Sequence, residues 1–188
     1  MFELFRVAAD VQTFCEGRSW RFCFIGGLAL QRWGEPRETV DVDVTLLTGF
    51  GGEEPFIGAL LDRYARRVQD AAAFARTNRV LLLRSDSGVG IDVALGGLPF
   101  EEEVVDRASP FPFPGDVPLR TCSAEDLIVL KAFAARGRDW VDIEGVIVRQ
   151  AGALDWSYID ARLAPLAVLK EAPEILTELA RRRVEFER

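Results

Sequence analysis

The sequence predicts an α+β fold, with an N-terminal α/β part (residues 1–110) followed by a helical C-terminal part (residues 111–188). Two stretches, "TVDVDVTLL" (39–47) and "IDVALGG" (91–97), alternate apolar and polar residues with the period of a half-buried strand. Apolar residues recur at helical spacing in "FIGALLDRYARRVQDAAAFAR" (56–76) and through much of the C-terminal part. With 188 residues and 49% hydrophobic composition, the chain can bury one substantial core or two small ones.

The elements of the N-terminal part follow from these periods and from the turn residues between them. Helical spacing predicts a first helix at 2–17, and "WRFCFI" (20–25) predicts a strand that stops at Gly26-Gly27. "LALQRW" (28–33) suits a short helix. The remaining expected elements are, in order, a strand at 39–47, a helix at 56–76, and strands at 79–85 and 91–97 joined by the turn "DSGVG".

The C-terminal part begins after a stretch without a clear period. "PFEEEVVDRASPFPFPGDVPL" (99–119) is rich in proline, and we expect a wrapped connector with one short strand there. "SAEDLIVLKAFAARG" (123–137) predicts a helix, because Ser123 can cap the amide of Asp126 and Gly137 follows the last turn. Three further helices are expected at 139–152, 154–171 and 173–187.

Composition excludes several kinds of chemistry. The chain has no histidine, which rules out Ser-His-Asp and Cys-His nucleophiles and HExxH zinc sites. The cysteines at 15, 23 and 122 lack CxxC spacing and indicate small buried residues in a reducing compartment. A formal net charge of −7 argues against a general nucleic-acid coat, although it leaves room for a local basic patch.

Hydropathy predicts no membrane partner. No apolar run approaches the roughly 20 residues that a bilayer-spanning helix needs. The first residues, "MFELFRVAAD", carry charges where a signal peptide would be apolar. We therefore expect a cytoplasmic protein.

Asp41 and Asp43 are the first candidates for a functional site. Residues two apart in a strand share a face, so these carboxylates lie on one side of the predicted strand and the valines between and beside them on the other. The valine side indicates core. Since unpaired carboxylates are costly to bury, the other side either faces water, as in an ordinary half-exposed strand, or faces a positive group.

Asp92 favours the second alternative. It lies between Ile91 and Val93 in the other alternating strand, and if the two strands are neighbours, three carboxylates converge on one surface. Oxygen ligands in that number suit a hard cation such as Mg²⁺, which leaves room for water and phosphate. Neither an EF-hand nor a Walker P-loop fits, because Leu46 takes the glycine position of the first and the second needs a GK[ST] that is absent.

Gly26 and Gly27 form the second feature. They lie at a strand-to-helix turn, where the missing β-carbons let backbone N–H groups approach a phosphate and the helix N-terminus adds partial positive charge. Thirteen residues separate Gly27 from Asp41. The combination of a glycine pair and a following D-x-D strand is much more specific than either element alone.

These motifs resemble a known family. "IGGLAL", "DVDV" and the later "IDV" resemble the signature of the DNA polymerase β-like nucleotidyltransferase superfamily. "RETVDVDV" and "SAEDLIVLKAFAARGRDWVDI" resemble, more narrowly, the AbiEii-type nucleotidyltransferases, over about residues 22 to 148. The resemblance implies a nucleotidyltransferase-like mixed β-sheet flanked by helices.

The resemblance also implies site roles. Asp41 and Asp43 would hold Mg²⁺ (or Mn²⁺) bridging a triphosphate, and Asp92 would hold a second ion and help to deprotonate the attacking hydroxyl. The residues expected to bind the nucleotide and its phosphates are Gly26, Gly27, Arg37, Thr39 and Lys131.

Plainer interpretations of the auxiliary residues stay open. Lys131 can be a solvated helix residue, and Arg37 an ordinary loop cation. Asp139 and Asp142 can cap and charge the first turn of a helix, and their roles and that of Arg136 are left open. The arginines that could form an RNA-facing patch, although charge runs on helices are usually solvated, are Arg63, Arg66, Arg67, Arg181, Arg182 and Arg183.

The predicted function is a magnesium-dependent nucleotidyltransferase that moves NMP from an NTP to RNA (including tRNA) or protein, as the toxin of a toxin–antitoxin or phage-defence system with an antitoxin partner. One alternative keeps the chemistry but uses a small-molecule acceptor, as aminoglycoside-modifying enzymes do. A second alternative is a non-catalytic module that binds a nucleotide or a partner. Transfer of the γ-phosphate is a further alternative on such a fold.

Overall fold

A computed structural model describes residues 2–187, which form nine helices and one seven-stranded mixed sheet. The chain divides into two compact units. The first comprises Met1–Leu28 and Glu38–Cys122, and the second Ala29–Arg37 and Ser123–Arg188. The division into a catalytic domain (1–110) and a helical domain (111–188) stays a prediction.

The sheet lies in the first unit and has the strand order β3-β4-β5-β2-β1-β7-β6. Strand β2 runs parallel to β5 and antiparallel to β1, and these three strands form the centre of the sheet. The elements as far as β7 are α1 (Phe2–Glu16), β1 (Phe22–Phe24), α2 (Gly26–Trp33), β2 (Asp41–Leu47), α3 (Glu54–Arg63), β3 (Ala65–Arg66), α4 (Ala71–Asn78), β4 (Val80–Arg84), β5 (Gly90–Gly96), α5 (Pro99–Arg107), β6 (Ser109–Phe113) and β7 (Val117–Thr121).

One face of the sheet forms the core of the first unit. Val42 and Val44 on β2 are buried there with Ile91 and Val93 on β5, each no more than 1% exposed. Phe5 of α1 is buried in the same cluster. The period-two alternation of the two strands is therefore confirmed, and its apolar side faces inward as predicted.

The opposite face is covered at one end by α5, which contacts β1 and β2. Cys23 is paired with Thr45, and its Sγ lies 4.0 Å from the carbonyl oxygen of Val104 on α5. Both Cys23 and Thr45 are buried. As predicted, all three cysteines are buried, and burial raises the pKa of the Cys15 thiol to about 12. Towards the start of β2 the same face carries Asp43, Thr45's neighbour two residues back.

The prediction of a single helix at 56–76 is wrong. Helix α3 ends at Arg63, Tyr64 takes an extended backbone (φ −123°, ψ 148°), and β3 pairs antiparallel with β4 before α4 begins. Neither glycine nor proline marks the break, and Tyr64 is buried as a core-facing helical residue would be. The pairing with the edge of β4, a tertiary interaction, decides the backbone here.

The prediction of a connector with one short strand at 99–119 is also wrong, because this segment forms a helix and most of a hairpin. Pro99 occupies the first turn of α5, where a missing N–H costs nothing, and the Glu101 carboxylate accepts hydrogen bonds from the Gly97 and Leu98 amides (2.7 and 2.8 Å). Pro110 and Pro112 lie at alternate positions of β6, which is an edge strand, so their missing donors need not face β7.

The second unit consists mainly of helices. They are α6 (Ala124–Ala134), α7 (Gly137–Arg149), α8 (Trp156–Leu169) and α9 (Glu174–Phe186). Ser123 caps α6 as predicted, since its Oγ accepts from the Asp126 amide at 3.1 Å. Ala135, in a left-handed conformation (φ 58°), ends α6, whereas Gly137, expected at that position, begins α7. No helix of the described chain combines the length and apolarity needed to cross a bilayer.

Candidate active site

The pairing of β2 with β5 places three carboxylates on one face of the sheet. Asp43 is directly opposite Asp92 in the parallel ladder, and Asp41 is opposite Gly90. Because partners in register share a face, the side chains of Asp41, Asp43 and Asp92 all lie on the side away from the valines. The side chains of Asp41 and Asp92 are 40% and 31% exposed, so this end of the face is open to solvent.

Gly26 shapes the space beside Asp43. It is the first residue of α2, one residue after the end of β1, and has a left-handed backbone (φ 56°). A β-carbon added to Gly26 would lie 2.1 Å from Asp43 Oδ2, a distance that no real contact shows. The turn therefore needs glycine both for its backbone conformation and for the close approach of the carboxylate.

Gly27 brings the turn against the start of β2. Its amide donates a long hydrogen bond to Asp43 Oδ2 (3.4 Å), and an added β-carbon would lie 2.2 Å from Thr39 Oγ1. The Thr39 hydroxyl donates to the carbonyl oxygen of Asp41 at 3.3 Å. The structure thus brings six sequence-predicted residues together in the first unit, namely Gly26, Gly27, Thr39, Asp41, Asp43 and Asp92.

Arg67 joins this group, although sequence reasoning missed it. Its guanidinium contacts Asp92 Oδ1 and lies 3.7 Å from Asp41 Oδ1. The predicted continuous helix made Arg67 one of several surface cations, and the break at Tyr64 is what places it among the acids. The sequence carried no signal for this position, because the break itself has none.

The carboxylates fit a divalent cation by their chemistry and their shared face. Three carboxylates on one face are a donor set for a hard ion such as Mg²⁺ or Mn²⁺. Across residues 2–187, no set of three or more His, Cys, Asp or Glu side chains is already arranged as ligands of one ion. Two of the three carboxylates face Arg67 instead. A closed ligand set would therefore require the guanidinium to move.

A second cluster lies within the second unit and contains Lys131 and Arg37. Lys131 Nζ donates to Asp142 Oδ2 at 2.6 Å and to Asp139 Oδ1 at 3.4 Å. Arg37 binds Asp142 with two parallel hydrogen bonds of 2.8 and 2.9 Å. Arg136 pairs with Asp139 at 2.7 Å. The side chain of Lys131 is only 7% exposed, so its interpretation as a solvated helix residue is wrong.

The two aspartates of this cluster stay ionised. Burial raises the pKa of Asp142, but the hydrogen bonds from Arg37 and Lys131 outweigh that effect and hold the pKa below its ordinary value. Burial also raises the pKa of Asp139, but Arg136 and Lys131 outweigh this effect, so the pKa lies below its ordinary value. Asp139 also accepts from the Arg136 amide (3.3 Å) as a cap of α7, so the capping alternative holds alongside the ion pairs.

The arginines considered as an RNA-facing patch are largely paired with carboxylates. Arg181 bonds Glu178 at 2.8 Å and Arg183 bonds Glu187 at 3.0 Å along α9. Arg182 contacts Glu144 of α7 as well as Glu178. In the first unit, Arg63 pairs with Asp10 at 2.5 Å. These contacts favour the ordinary alternative, in which the runs are surface ion pairs.

Comparison of the sequence with protein families gives one match that covers most of the chain. Residues 16–170 match the family described as "Nucleotidyl transferase AbiEii toxin, Type IV TA system". The matched range includes both clusters described above. A comparison with curated proteins finds no match.

Comparison with solved structures confirms the fold. The crystal structure of an antigenic nucleotidyltransferase-like protein from Paracoccidioides brasiliensis matches with a TM-score of 0.54 at 15% identity, over 96% of this chain and 93% of that one. The crystal structure of ANT(2")-Ia in complex with adenylyl-2"-tobramycin matches with a TM-score of 0.40 at 16% identity, over 97% and 98% of the chains, too low a score to support a conclusion. The predicted nucleotidyltransferase-like mixed sheet flanked by helices is therefore confirmed.

Proposed function

We propose a function for this chain, which belongs to the AbiEii family of nucleotidyl transferase toxins: it transfers the nucleoside monophosphate of an NTP to a hydroxyl group of RNA or protein. Family and fold support a transferase. The observation that carries the proposal is the register of β2 and β5, which pairs Asp43 with Asp92 and leaves Asp41 on the same open face.

Asp41, Asp43 and Asp92 would hold the divalent cation, Mg²⁺ or Mn²⁺. Bound there, the ion supplies positive charge that stabilises the attacking and leaving oxygens at the α-phosphorus. Three carboxylates on one face repel one another unless positive charge offsets them; Arg67 does so for Asp41 and Asp92, and a bound cation would do so for all three.

The proposed transfer is a displacement at the α-phosphorus. The acceptor hydroxyl oxygen bonds to that phosphorus while the bond from it to the oxygen bridging to the β-phosphate breaks, and pyrophosphate leaves with the electron pair. Asp92 takes the hydroxyl proton, since its open position lets an acceptor reach it. Such chemistry depends on positioning and charge neutralisation, so a chain without histidine can perform it.

Gly26 and Gly27 would position the triphosphate. Their missing side chains make room for Asp43 and Thr39 and so keep the N-terminus of α2 beside Asp43, where backbone N–H groups and the helix dipole favour an anion. Thr39 fills the space against Gly27 and holds the start of β2 by its bond to the Asp41 carbonyl.

We also propose that Arg37 and Lys131 bind the nucleotide, although several of their hydrogen-bond donors are already used within the protein. Arg37 binds both oxygens of Asp142, and Lys131 uses two of its three donors on Asp142 and Asp139. A contact to phosphate would therefore have to use a remaining donor or exchange a partner. Their role in stabilising the second unit does not depend on that contact.

The family description places its members in type IV toxin–antitoxin systems, and we propose the same setting for this chain. Expression of the protein would then arrest growth, and a cognate antitoxin would relieve the arrest. The same Asp41, Asp43 and Asp92 carboxylates would be required for the arrest, because the toxicity would come from nucleotidyl transfer.

The test uses ATP, CTP, GTP and UTP, each labelled at the α- or the γ-phosphate, with total RNA, cell protein and a cationic aminoglycoside as separate acceptors. The proposal predicts α-label on RNA or protein, no γ-label, and no label with Asp43→Asn. The exposed turn residue Asp86 supplies the matched control, Asp86→Asn, which should label as the wild type does. Transfer of γ-label only, label on a small cationic drug only, or binding of NTP without any transfer would contradict the proposal in favour of a kinase, an antibiotic-modifying enzyme or a binding module.

A further inference from the structure

Arg67 lies where the proposed divalent cation would be needed. Its guanidinium contacts Asp92 Oδ1 and lies 3.7 Å from Asp41 Oδ1, so one positive group bridges carboxylates from two strands. The side chain is 22% exposed, which makes the ion pairs partly shielded from solvent. A single residue thus reduces the mutual repulsion of the acids in the protein as it stands.

The backbone holds Arg67 at this position. The chain leaves α3 at Tyr64, pairs with β4 through β3, and the Arg67 amide then donates to the Leu82 carbonyl oxygen at 3.0 Å. Gly90 leaves the space for the side chain: an added β-carbon there would lie 2.9 Å from Arg67 Nη1 and 2.0 Å from Asp41 Oδ1. The segment, the strand and the glycine together deliver the guanidinium to the acids.

The Nε of Arg67 shows that this arrangement is incomplete. It is buried, and it has no hydrogen-bond partner among the residues that the structure describes. A buried donor without a partner costs free energy, and permanent structural arginines usually satisfy it. The guanidinium therefore donates to Asp92 through Nη2 while its Nε is unsatisfied, in a position on the carboxylates that another cation could take.

We propose that Arg67 is a tethered counter-ion that competes with the divalent cation for Asp41 and Asp92 and withdraws when that ion binds; the inference rests on the proposed function. A guanidinium and a divalent cation on the same carboxylate oxygens repel each other, so the site alternates between the two. Arg67 thereby sets the cation concentration at which the site fills, and it is a positioning residue for Asp41 and Asp92.

The test measures Mn²⁺ affinity by electron paramagnetic resonance of the nucleotide-free protein. Arg67→Ala should bind Mn²⁺ about tenfold more tightly than the wild type, since two partly shielded ion pairs no longer oppose binding. The control is Arg66→Ala, which removes the same charge from an exposed neighbour and should stay within about twofold of the wild type. Equal affinities of Arg67→Ala and the wild type, or weaker binding by Arg67→Ala, would overturn the inference.

A second measurement, the melting temperature with and without Mn²⁺, keeps the test valid if the variant is less stable. Without Mn²⁺, Arg67→Ala and the bulkier Arg67→Gln should melt below the wild type, and saturating Mn²⁺ should raise their Tm by more than it raises that of the wild type. An equal rise would count against competition. If the wild type and Arg67→Ala bind Mn²⁺ equally well, only the inference fails; if neither the wild type nor any variant binds Mn²⁺, the metal site of the proposed function fails with it.

Discussion

Asp43 occupies the space that a β-carbon on Gly26 would need: such an atom would lie 2.1 Å from Asp43 Oδ2. The contact joins the β1–α2 turn to strand β2, the two segments that carry the glycine pair and the D-x-D motif. A glycine motif and an acidic motif separated in sequence are thus parts of one steric arrangement.

Gly26→Ala should therefore abolish or strongly reduce nucleotidyl transfer. The new methyl group would displace the Asp43 carboxylate, and the left-handed backbone (φ 56°) would cost about 1 to 2 kcal/mol of folding free energy with any L side chain. Transfer of α-label and urea unfolding measure the two effects. The control is Gly58→Ala in α3, where nothing lies within 4 Å, and it should keep full transfer. Wild-type transfer by Gly26→Ala would show that the close approach has no functional role.

Lys131→Met should lower the free energy of unfolding by about 3 kcal/mol, because it leaves Asp139 and Asp142 buried without one of their cationic partners. Urea unfolding at neutral pH measures the change. Lys170→Met, at the only other lysine, removes an exposed ammonium and should cost less than about 1 kcal/mol. Similar losses for both variants would contradict the special role of the buried cluster.

The pH dependence of stability should report the same cluster. The folded-state pKa values of Asp139 and Asp142 lie below the ordinary value of 3.8, so the unfolded chain binds more protons near that pH. Their stabilisation is complete above pH 3.8 and is lost as the pH falls through the lower folded-state values. The free-energy difference between the wild type and Asp142→Asn should therefore narrow as the pH falls from about 6 to about 3. A difference that stays constant over this range would show that Asp142 does not titrate in this way.

Strands β2 and β5 were predictable because their apolar and polar residues alternate with a period of two, which is the period of a strand. Valine or isoleucine lies on one side of each strand. Their adjacency did not follow from the alternation and is established by the pairing of Asp43 with Asp92. That Asp92 shares a face with Asp41 and Asp43 follows from this pairing.

The break between α3 and α4 was not predictable, since Tyr64 continues the helical pattern of buried positions and only the partner strand β4 makes the chain extend. Arg67 was missed for that reason. The burial of Lys131, which contradicts the alternative of a solvated helix residue, was not predictable for a related reason: its partner Asp142 also binds Arg37, which lies 105 residues away in sequence. Both features depend on long-range contacts, which local patterns do not contain.

The initial rate of α-label transfer by Asp92→Asn tests the central claim most directly, because Asp92 reaches the site only through the pairing of β5 with β2. With the fold intact by circular dichroism, the rate should fall by about 100-fold or more, since the variant loses both a cation ligand and the proton acceptor. Asp86→Asn should transfer at the wild-type rate. A rate for Asp92→Asn within about twofold of the wild type would contradict a shared role of Asp41, Asp43 and Asp92.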